Sequence, residues 1–250
     1  MKTLHIPRDL VQEHFSARAA TYDGSSFWCT DQAILERIRG LLAPTGTERL
    51  LDVEVGTGLV SRHLKPHVGH ITGLDINEDM VDQARDAVDE LVISPGETMP
   101  FDDGSLDLIV CRQGIQFMGL DAVLAEMVRV LKPGGRMVSI DLAAYGDDDR
   151  VEYFEILRLR NPARRNFFAR GDVAAAFLAA GCSQVATHDH VSVEDVDVWS
   201  DNGAIAESRR EGIREVYRNA SPAFASLHSV QLADGRIVDH MLFELTVGTK

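Results

Sequence analysis

Residues 50–58 read LLDVEVGTG, an apolar run that ends in a glycine-bearing turn. A short apolar run bounded by turn residues predicts a strand that is buried on both faces. Glycines at 56 and 58 bring the backbone close to a ligand and leave N–H groups exposed where the next helix starts. Because such turns also pack helices against strands, their meaning depends on the surrounding sequence.

Strands and helices alternate on both sides of this turn. Apolar runs predict further strands at residues 70–76, 91–93, 106–111, 136–142, 184–190 and 237–247. Stripes with a helical period separate several of these runs, and Asn77 is a predicted N-cap. Alternation at this spacing predicts parallel βαβ units with right-handed crossovers, which is typical of a doubly wound α/β fold.

Two predicted helices precede the turn, and two more lie near the other end. The first has one face made of Val11, Phe15, Arg18 and Tyr22. The second is predicted to start at Thr30 as N-cap and to stop before Pro44. Residues 172–180 and 196–217 are also predicted to be helical. Since the chain has no internal repeat or long Gly/Ser linker, we expect one domain over residues 1–250.

An acidic residue closes the second predicted strand. Asp75 lies seventeen residues after Gly58. Its two acceptor oxygens suit both hydroxyls of a ribose. In doubly wound sheets, ligands bind beyond the carboxyl ends of the strands, near the switch in strand order. The turn and Asp75 together therefore favour a nucleotide-like ligand.

The charge and the cysteines limit the classes of partner and compartment. A net charge of −14 argues against nucleic acid, because phosphate neutralisation supplies most of that affinity. We also expect no membrane partner, since no apolar run is long enough to cross a bilayer. Three scattered cysteines and a start without an apolar run predict a cytoplasmic protein. The sequence leaves open whether the chain forms a homodimer.

Two groups of side chains admit a structural or a functional interpretation. The arginines form one basic cluster, made of Arg158, Arg160, Arg164, Arg165 and Arg170. We expect a solvated loop and helix flank there; the alternative is a site for an acidic substrate, a carrier protein or a partner subunit. His188 and His190 lie on one predicted strand without convincing further ligands, so we predict no metal site.

Five stretches together resemble a known family. They are HFSARAATYD (14–23), LLDVEVGTG (50–58), GLDINEDMVDQAR (73–85), GETMPFDDGSLDLIVCR (96–112) and VRVLKPGG (128–135). Their order and spacing are similar to those of class I S-adenosylmethionine-dependent methyltransferases, above all the ubiquinone and menaquinone biosynthesis enzymes and small-molecule methylases. The resemblance implies a Rossmann-like, mainly parallel seven-stranded sheet with an antiparallel last strand. It divides the chain into an N-terminal helical flap (1–44), a cofactor-binding core (45–145) and C-terminal strands (146–250) with a helical insertion at about 196–220.

The same resemblance implies S-adenosylmethionine as cofactor and assigns roles to matched positions. Asp52 and the turn at Glu54, Gly56 and Gly58 would hold the methionine end. Asp75 would bind the ribose, and Ile76 and Met80 would contact the adenine, although core packing explains these two equally well. The remaining implied contacts are Gly96 and Glu97 at the adenine edge, Arg112 and Gln113 under the sulfonium, and Tyr22 on the flap.

Three positions, at two places in the chain, depart from the family pattern. Relatives carry glycine or alanine where Glu54 stands, and a small residue or cysteine at Val55. Strain at Glu54 would weaken cofactor binding roughly ten- to a hundredfold. Alternatively its side chain fills the methionine pocket, or its carboxylate pairs with the ligand's ammonium or sulfonium. Pro95 replaces an aspartate that accepts from the adenine amino group, leaving recognition to backbone groups.

Three functions remain open from the sequence. The first is methyl transfer to an O, N or C atom of a small organic molecule, with His14 as candidate base and Gln116 as an alternative that orients the substrate. The second is a degenerate fold, acting as a binding protein or a non-methylating enzyme. The third, a nicotinamide dehydrogenase, is disfavoured because the chain has no full GxGxxG motif.

Overall fold

One sheet organises the molecule. The computed structural model describes residues 8–24 and 26–250, and nine strands of that part form the sheet. The strands are β1 (Arg49–Val53), β2 (His70–Asp75), β3 (Glu90–Ile93), β4 (Leu106–Arg112), β5 (Leu131–Ala144), β6 (Phe168–Ala169), β7 (Ser183–Asp195), β8 (Gln231–Ala233) and β9 (Arg236–Thr249). Residues 1–7 and 25 of the predicted flap lie outside the described residues.

Ten helices surround this sheet in the described ranges. They are α1 (Arg8–Ser16), α2 (Gln32–Leu42), α3 (Leu59–Leu64), α4 (Glu78–Ala84), α5 (Leu120–Val130), α6 (Arg150–Arg160), α7 (Asp172–Ala179), α8 (Val196–Ser200), α9 (Glu207–Arg218) and α10 (Pro222–Leu227). Short 3-10 turns at Ala19–Gly24 and Phe27–Thr30 connect α1 to α2.

The strand order confirms the predicted doubly wound, seven-stranded sheet. The main path runs β3-β2-β1-β4-β5-β9-β7, and the short β6 and β8 pair with β5 and β9. Strands β1 to β5 are parallel, whereas β9 is antiparallel to both of its neighbours on the path. The order reverses between β1 and β4, so the loops after these strands meet at the switch point where ligands bind.

Both faces of the central strands are buried. Along β4, Leu108 and Val110 pack into one apolar core, and Ile109 and Cys111 pack into the other. This alternation follows from the two-residue repeat of a strand, and helices cover each face. The continuous apolar run at residues 106–111 is thereby explained.

Helix boundaries differ from the predictions in the N-terminal part. The predicted single helix through Tyr22 is wrong: α1 ends at Ser16, and a 3-10 turn carries Tyr22. The N-cap of α2 is Asp31, not Thr30, because the Asp31 carboxylate accepts from the N–H of Ala33. The predicted cap of α4 is confirmed, since the Asn77 side chain accepts from Met80.

The C-terminal part holds elements that the sequence patterns missed. Helix α6 follows residue 149, where no helix was predicted. The predicted helix at residues 196–217 divides into α8 and α9, because residues 201–206 leave the helical conformation. Strands β6 and β8 have two and three residues, too few for a recognisable alternation.

Candidate active site

The turn after β1 has an unusual residue in a glycine-like conformation. Glu54 has a φ of +58°, in the left-handed region that favours glycine. Such a conformation costs a non-glycine residue about 1–3 kcal/mol. Val55, the second unusual residue, is buried over Gly73, where a Cβ would lie 3.1 Å from both Val55 methyl groups. The fold thus accommodates Val55 because Gly73 lies opposite it, whereas it holds the Glu54 backbone in a strained conformation.

Asp75 connects the ends of β1 and β2. Its Oδ2 accepts from the N–H of Gly56 at 2.9 Å, and its Oδ1 accepts from the N–H of Asn77 at 2.9 Å. Burial raises the pKa of Asp75, and the two N–H donors offset part of that effect. Each carboxylate oxygen keeps a second lone pair for a ligand hydroxyl.

A pocket of about 410 Å³ opens at this point, and is referred to below as the switch-point pocket. Among the residues that line it are Tyr22, Glu54, Gly56, Asp75, Ile76 and Met80. Arg112 and Gln113, at the end of β4, also line it. The structure therefore brings together most of the positions that the sequence assigned to cofactor binding.

Four predicted cofactor contacts do not line this pocket: Asp52, Gly58, Gly96 and Glu97. Asp52 is buried behind the turn, where it accepts from the Ser61 hydroxyl at 2.7 Å; burial raises its pKa to about 6. Gly58 and Gly96 have packing roles: a Cβ would lie 2.7 Å from Ala87 Cβ at Gly58, and 2.5 Å from a methionine sulfur at Gly96. The candidate base His14 is buried and does not line this pocket either.

Glu97 and Pro95 line a neighbouring pocket of about 370 Å³, which shares Glu54 and Ile76 with the switch-point pocket. Glu97 accepts from the N–H of Gly119 at 3.0 Å. Its carboxylate also lies 3.7 Å from the Arg165 guanidinium. The residues predicted for the adenine edge thus lie beside the switch-point pocket.

Several acidic groups converge on the two pockets. Burial raises the pKa of Glu54 well above its ordinary value, and the charges of Asp75 and Glu97 raise it further. The Glu54 carboxyl has no hydrogen-bond partner among the described residues and lines both pockets. A cation placed beside it would favour its ionised form.

Sequence reasoning missed the part of α1 that covers the pocket. Val11, Gln12 and Phe15 line it. Gln12 Nε2 donates to the Ile76 carbonyl at 3.0 Å, and Asn77 Nδ2 donates back to the Gln12 carbonyl at 2.9 Å. The apolar stripe that includes Val11 and Phe15 was the signal that could have identified this cover.

A second pocket, the arginine pocket, adjoins the first and has a volume of about 400 Å³. It shares Phe15, Tyr22, Gln113 and Phe117 with the switch-point pocket. Three of its lining side chains are the buried arginines Arg18, Arg160 and Arg164. Gln116, the predicted alternative for orienting a substrate, lines it as well.

The prediction of a solvated basic cluster is wrong for two of its arginines. Arg160 is 8% exposed and Arg164 is 5% exposed, because α6 and the loop after it turn them inward. Arg158 and Arg170 do lie at the surface, where they pair with acidic neighbours.

His14 is buried near the arginines and is absent from the lining of the two main pockets. Burial, and then the charges of Arg18, Arg160 and Arg209, lower its pKa to about 3. The imidazole is therefore neutral near pH 7.

Within the described part of the chain, no three His, Cys, Asp or Glu side chains are grouped as a metal site requires. His190 lies 2.8 Å from an Asp31 oxygen, and His188 is exposed. No helix in residues 8–24 and 26–250 has the length and apolar character that a membrane crossing needs.

A glycine turn and a carboxylate at the switch point of a doubly wound sheet define a Rossmann-like nucleotide-binding class. Residues 51–139 match the family model described as a methyltransferase domain. The malonyl-(acyl-carrier protein) O-methyltransferase of Geobacter sulfurreducens is 32% identical over 207 residues, 76% of this chain and 76% of the relative. The demethylmenaquinone methyltransferase of Clavibacter sepedonicus is 36% identical over 107 residues, 39% of this chain and 42% of the relative.

A solved structure has the same fold. The YcgJ protein from Bacillus subtilis superposes with a TM-score of 0.78 at 23% identity, covering 86% of this chain and 97% of that one. The chain belongs to the S-adenosylmethionine-dependent methyltransferases. The predicted family, enzyme class and cofactor are thereby confirmed, and the comparisons give no support to a nicotinamide dehydrogenase.

Proposed function

We propose that the protein transfers a methyl group from S-adenosylmethionine to an O, N or C atom of a small organic molecule. One observation carries the proposal: Asp75 is fixed between the N–H groups of Gly56 and Asn77 and lines a pocket at the switch point. When bound, S-adenosylmethionine supplies a methyl group on a positively charged sulfur.

The residues of the switch-point pocket fit this cofactor. The free lone pairs of Asp75 suit the ribose hydroxyls, and the apolar side chains of Ile76 and Met80 suit the adenine. A Cβ at Gly56 would lie 3.4 Å from Met80 Cε, so the absence of a side chain keeps this wall open. Asp52, Gly58 and Gly96 would act by shaping the site rather than by contact.

The acidity of the site matches the charge of the cofactor. Asp75 and Glu97 lie close enough to Glu54 for their charges to raise its pKa. A sulfonium or ammonium group next to these carboxyls would reduce their mutual repulsion. We therefore infer that the Glu54 carboxylate pairs with the cationic part of the cofactor.

Substrate would enter where the two pockets meet. Tyr22, Gln113 and Phe117 line both of them. These residues would hold the acceptor atom in line with the methyl group that the cofactor supplies, and the proton of the acceptor would pass to water or to a side chain. Holding the acceptor in line can lower the barrier by about 7–11 kcal/mol. His14 remains a predicted base, but a pKa of about 3 makes it a weak one.

A degenerate site is the second candidate, and the Glu54 side chain in the pocket favours it. The two candidates are separated by titration calorimetry with S-adenosylmethionine and S-adenosylhomocysteine. Methyl transfer predicts saturable binding of both by the natural chain. No heat with the natural chain, restored in Glu54→Gly but not in Glu54→Gln, would support degeneracy instead.

A further inference from the structure

Two buried arginines of the arginine pocket, Arg160 and Arg164, form no ion pair with a described residue. Arg160 donates through Nε to the Trp199 carbonyl at 3.1 Å, and its buried Nη2 has no hydrogen-bond partner in the described residues. Arg164 donates to two backbone carbonyls, those of Asn166 and Leu142. All of these acceptors are backbone carbonyls, and neither arginine forms an ion pair with a carboxylate of the described residues, which is rare for buried guanidinium groups.

The surroundings of both arginines lower their pKa values. Burial, and then repulsion from Arg18, lower the pKa of Arg160 to about 9. Burial lowers the pKa of Arg164 to about 10. Each shift means that the environment disfavours the charged form, so an anion in the pocket would be stabilised by both.

Two acidic side chains act on these arginines through their charge, Glu194 on Arg160 and Asp141 on Arg164, and the Oδ1 of Asp141 has no hydrogen-bond partner in the described residues. Glu194 accepts from the N–H groups of Phe27 and Trp28 and from the Ser192 hydroxyl. Asp141 accepts from Ser139, and burial raises its pKa to about 7. Neither acid forms an ion pair with the buried arginines.

Other lining residues also present unpaired donors. The indole N–H groups of Trp28 and Trp199 are buried and have no acceptor in the described residues. Their rings lie in the pocket wall beside Leu142 and Leu157. The pocket therefore combines donors for oxygen atoms with apolar surface for a hydrocarbon body.

We propose that the arginine pocket binds the carboxylate of an acidic methyl acceptor that has an apolar body, with Arg160 and Arg164 as specificity-determining residues. This rests on the proposed methyl transfer. A guanidinium binds a carboxylate through two parallel hydrogen bonds, which fixes orientation as well as charge. The anchored carboxylate would leave the opposite end of the acceptor at the junction lined by Tyr22, Gln113 and Phe117.

Intrinsic fluorescence reports occupancy of this pocket directly, because Trp28 and Trp199 are the only two tryptophans of the chain and both line it. The full-length protein is titrated with phenylacetate and hexanoate, and with their neutral amides, with and without S-adenosylhomocysteine. We expect the acids to bind at least about tenfold more tightly than the amides, as for hydrogen bonds to charged groups. Equal responses to acids and amides, or none to either acid, would overturn the proposal.

Variants test whether the arginines are responsible. Arg160→Gln should lose about tenfold or more in affinity for the acids without loss of melting temperature, since it removes a buried charge that forms no ion pair. Arg160→Lys should bind with intermediate affinity, and Arg158→Gln, an exposed arginine on the same helix, should bind like the natural chain. Unchanged acid binding by Arg160→Gln would contradict the proposal.

Two further readouts separate sources of failure. Inorganic phosphate that displaces phenylacetate at equal concentration would overturn the carboxylate assignment. Binding of S-adenosylhomocysteine is measured in parallel by calorimetry. Acid binding without cofactor binding would contradict the proposed function but support the anion site. Cofactor binding without acid binding would contradict only the anion site.

Discussion

Gly114 lies directly under the side chain of Glu54. A Cβ built on Gly114 would come within 2.8 Å of Glu54 Cβ and 2.7 Å of Glu54 Cγ. The φ of Gly114 is −112°, so steric room and not backbone freedom requires glycine here. The glutamate that departs from the family pattern is thus accommodated by the first residues after β4.

This contact predicts strong coupling between the two positions. Gly114→Ala should destabilise the protein by about 1–3 kcal/mol, because the new methyl group overpacks the site. In the Glu54→Gly background the same substitution should cost less, since only the contact with the Cys111 sulfur remains. A double-mutant cycle by urea denaturation measures the coupling; strictly additive effects would show that the contact is absent.

Replacing Glu54 should stabilise the fold. Glu54→Gly removes left-handed strain of about 1–3 kcal/mol and a buried acid, against about 0.5–1 kcal/mol of added chain entropy in the unfolded state. Ala43→Gly is the matched control, since Ala43 also has a positive φ, of 43°, but carries no acid. We expect the larger gain at Glu54 in chemical denaturation, and an equal gain at both positions would refute the contribution of the buried carboxyl.

Cofactor binding should depend on pH in the acidic range. The carboxyls that line the switch-point pocket are Glu54 and Asp75, and Glu97 lines the neighbouring pocket; the other titratable groups in the lining of the switch-point pocket are Arg112 and Tyr22. Burial raises the pKa of Glu54 and of Asp75, and a cationic ligand prefers the ionised carboxylates. Affinity for S-adenosylmethionine should therefore rise as the pH rises through these raised values.

S-adenosylhomocysteine provides the control for that dependence, because it lacks the sulfonium charge. Calorimetric titrations between pH 5 and 8 should show a steeper increase for S-adenosylmethionine than for S-adenosylhomocysteine. Glu54→Gln should flatten the difference. Parallel pH profiles for the two ligands in the natural chain would show that Glu54 does not sense the sulfonium.

A buried histidine should make stability depend on pH in the alkaline range. His228 is fully buried, with Nδ1 2.8 Å from Asp239 and Nε2 2.9 Å from Asp149. Burial lowers its pKa, but the two hydrogen-bonded carboxylates outweigh this and raise it to about 9. Because the folded value exceeds the unfolded value of about 6.5, the stabilisation is complete below that pH and is lost as the pH rises through 9.

Substitution of His228 tests this network. His228→Asn should cost about 3–5 kcal/mol at pH 6, since it leaves buried carboxylates without their cation. The exposed His188→Asn is the control and should have little effect. Denaturation curves at pH 6 and pH 9.5 should converge between the natural chain and His228→Asn at the higher pH. A constant difference would contradict the raised pKa.

The strands were predictable because buried parallel strands leave an unambiguous pattern. The runs at residues 50–55 and 106–111 are mostly apolar, and the structure buries most residues of β1 and β4. The glycine turn and Asp75 come directly at the carboxyl ends of two such strands, and this placement was enough to predict a ligand site. Helix α6 was missed because its apolar residues, such as Tyr153 and Ile156, are interspersed with charged ones that include the inward-facing Arg160.

Side-chain burial in the arginine pocket could not be predicted from local sequence. Arg158 and Arg160 are two residues apart, yet one lies at the surface and the other packs over the Trp199 ring. That contact joins α6 to α8 across nearly forty residues of chain. Local composition carries no signal for it, which explains why the cluster was expected to be solvated.

Titration of S-adenosylhomocysteine into the natural chain and into Asp75→Asn tests the central claim most directly. The substitution preserves the shape of the side chain but replaces one acceptor oxygen by a donor. We predict saturable binding by the natural chain and a loss of at least about tenfold in Asp75→Asn, with the fold intact by circular dichroism. Equal affinity in the two proteins would contradict the account, because the carboxylate at the switch point would then hold no part of the cofactor.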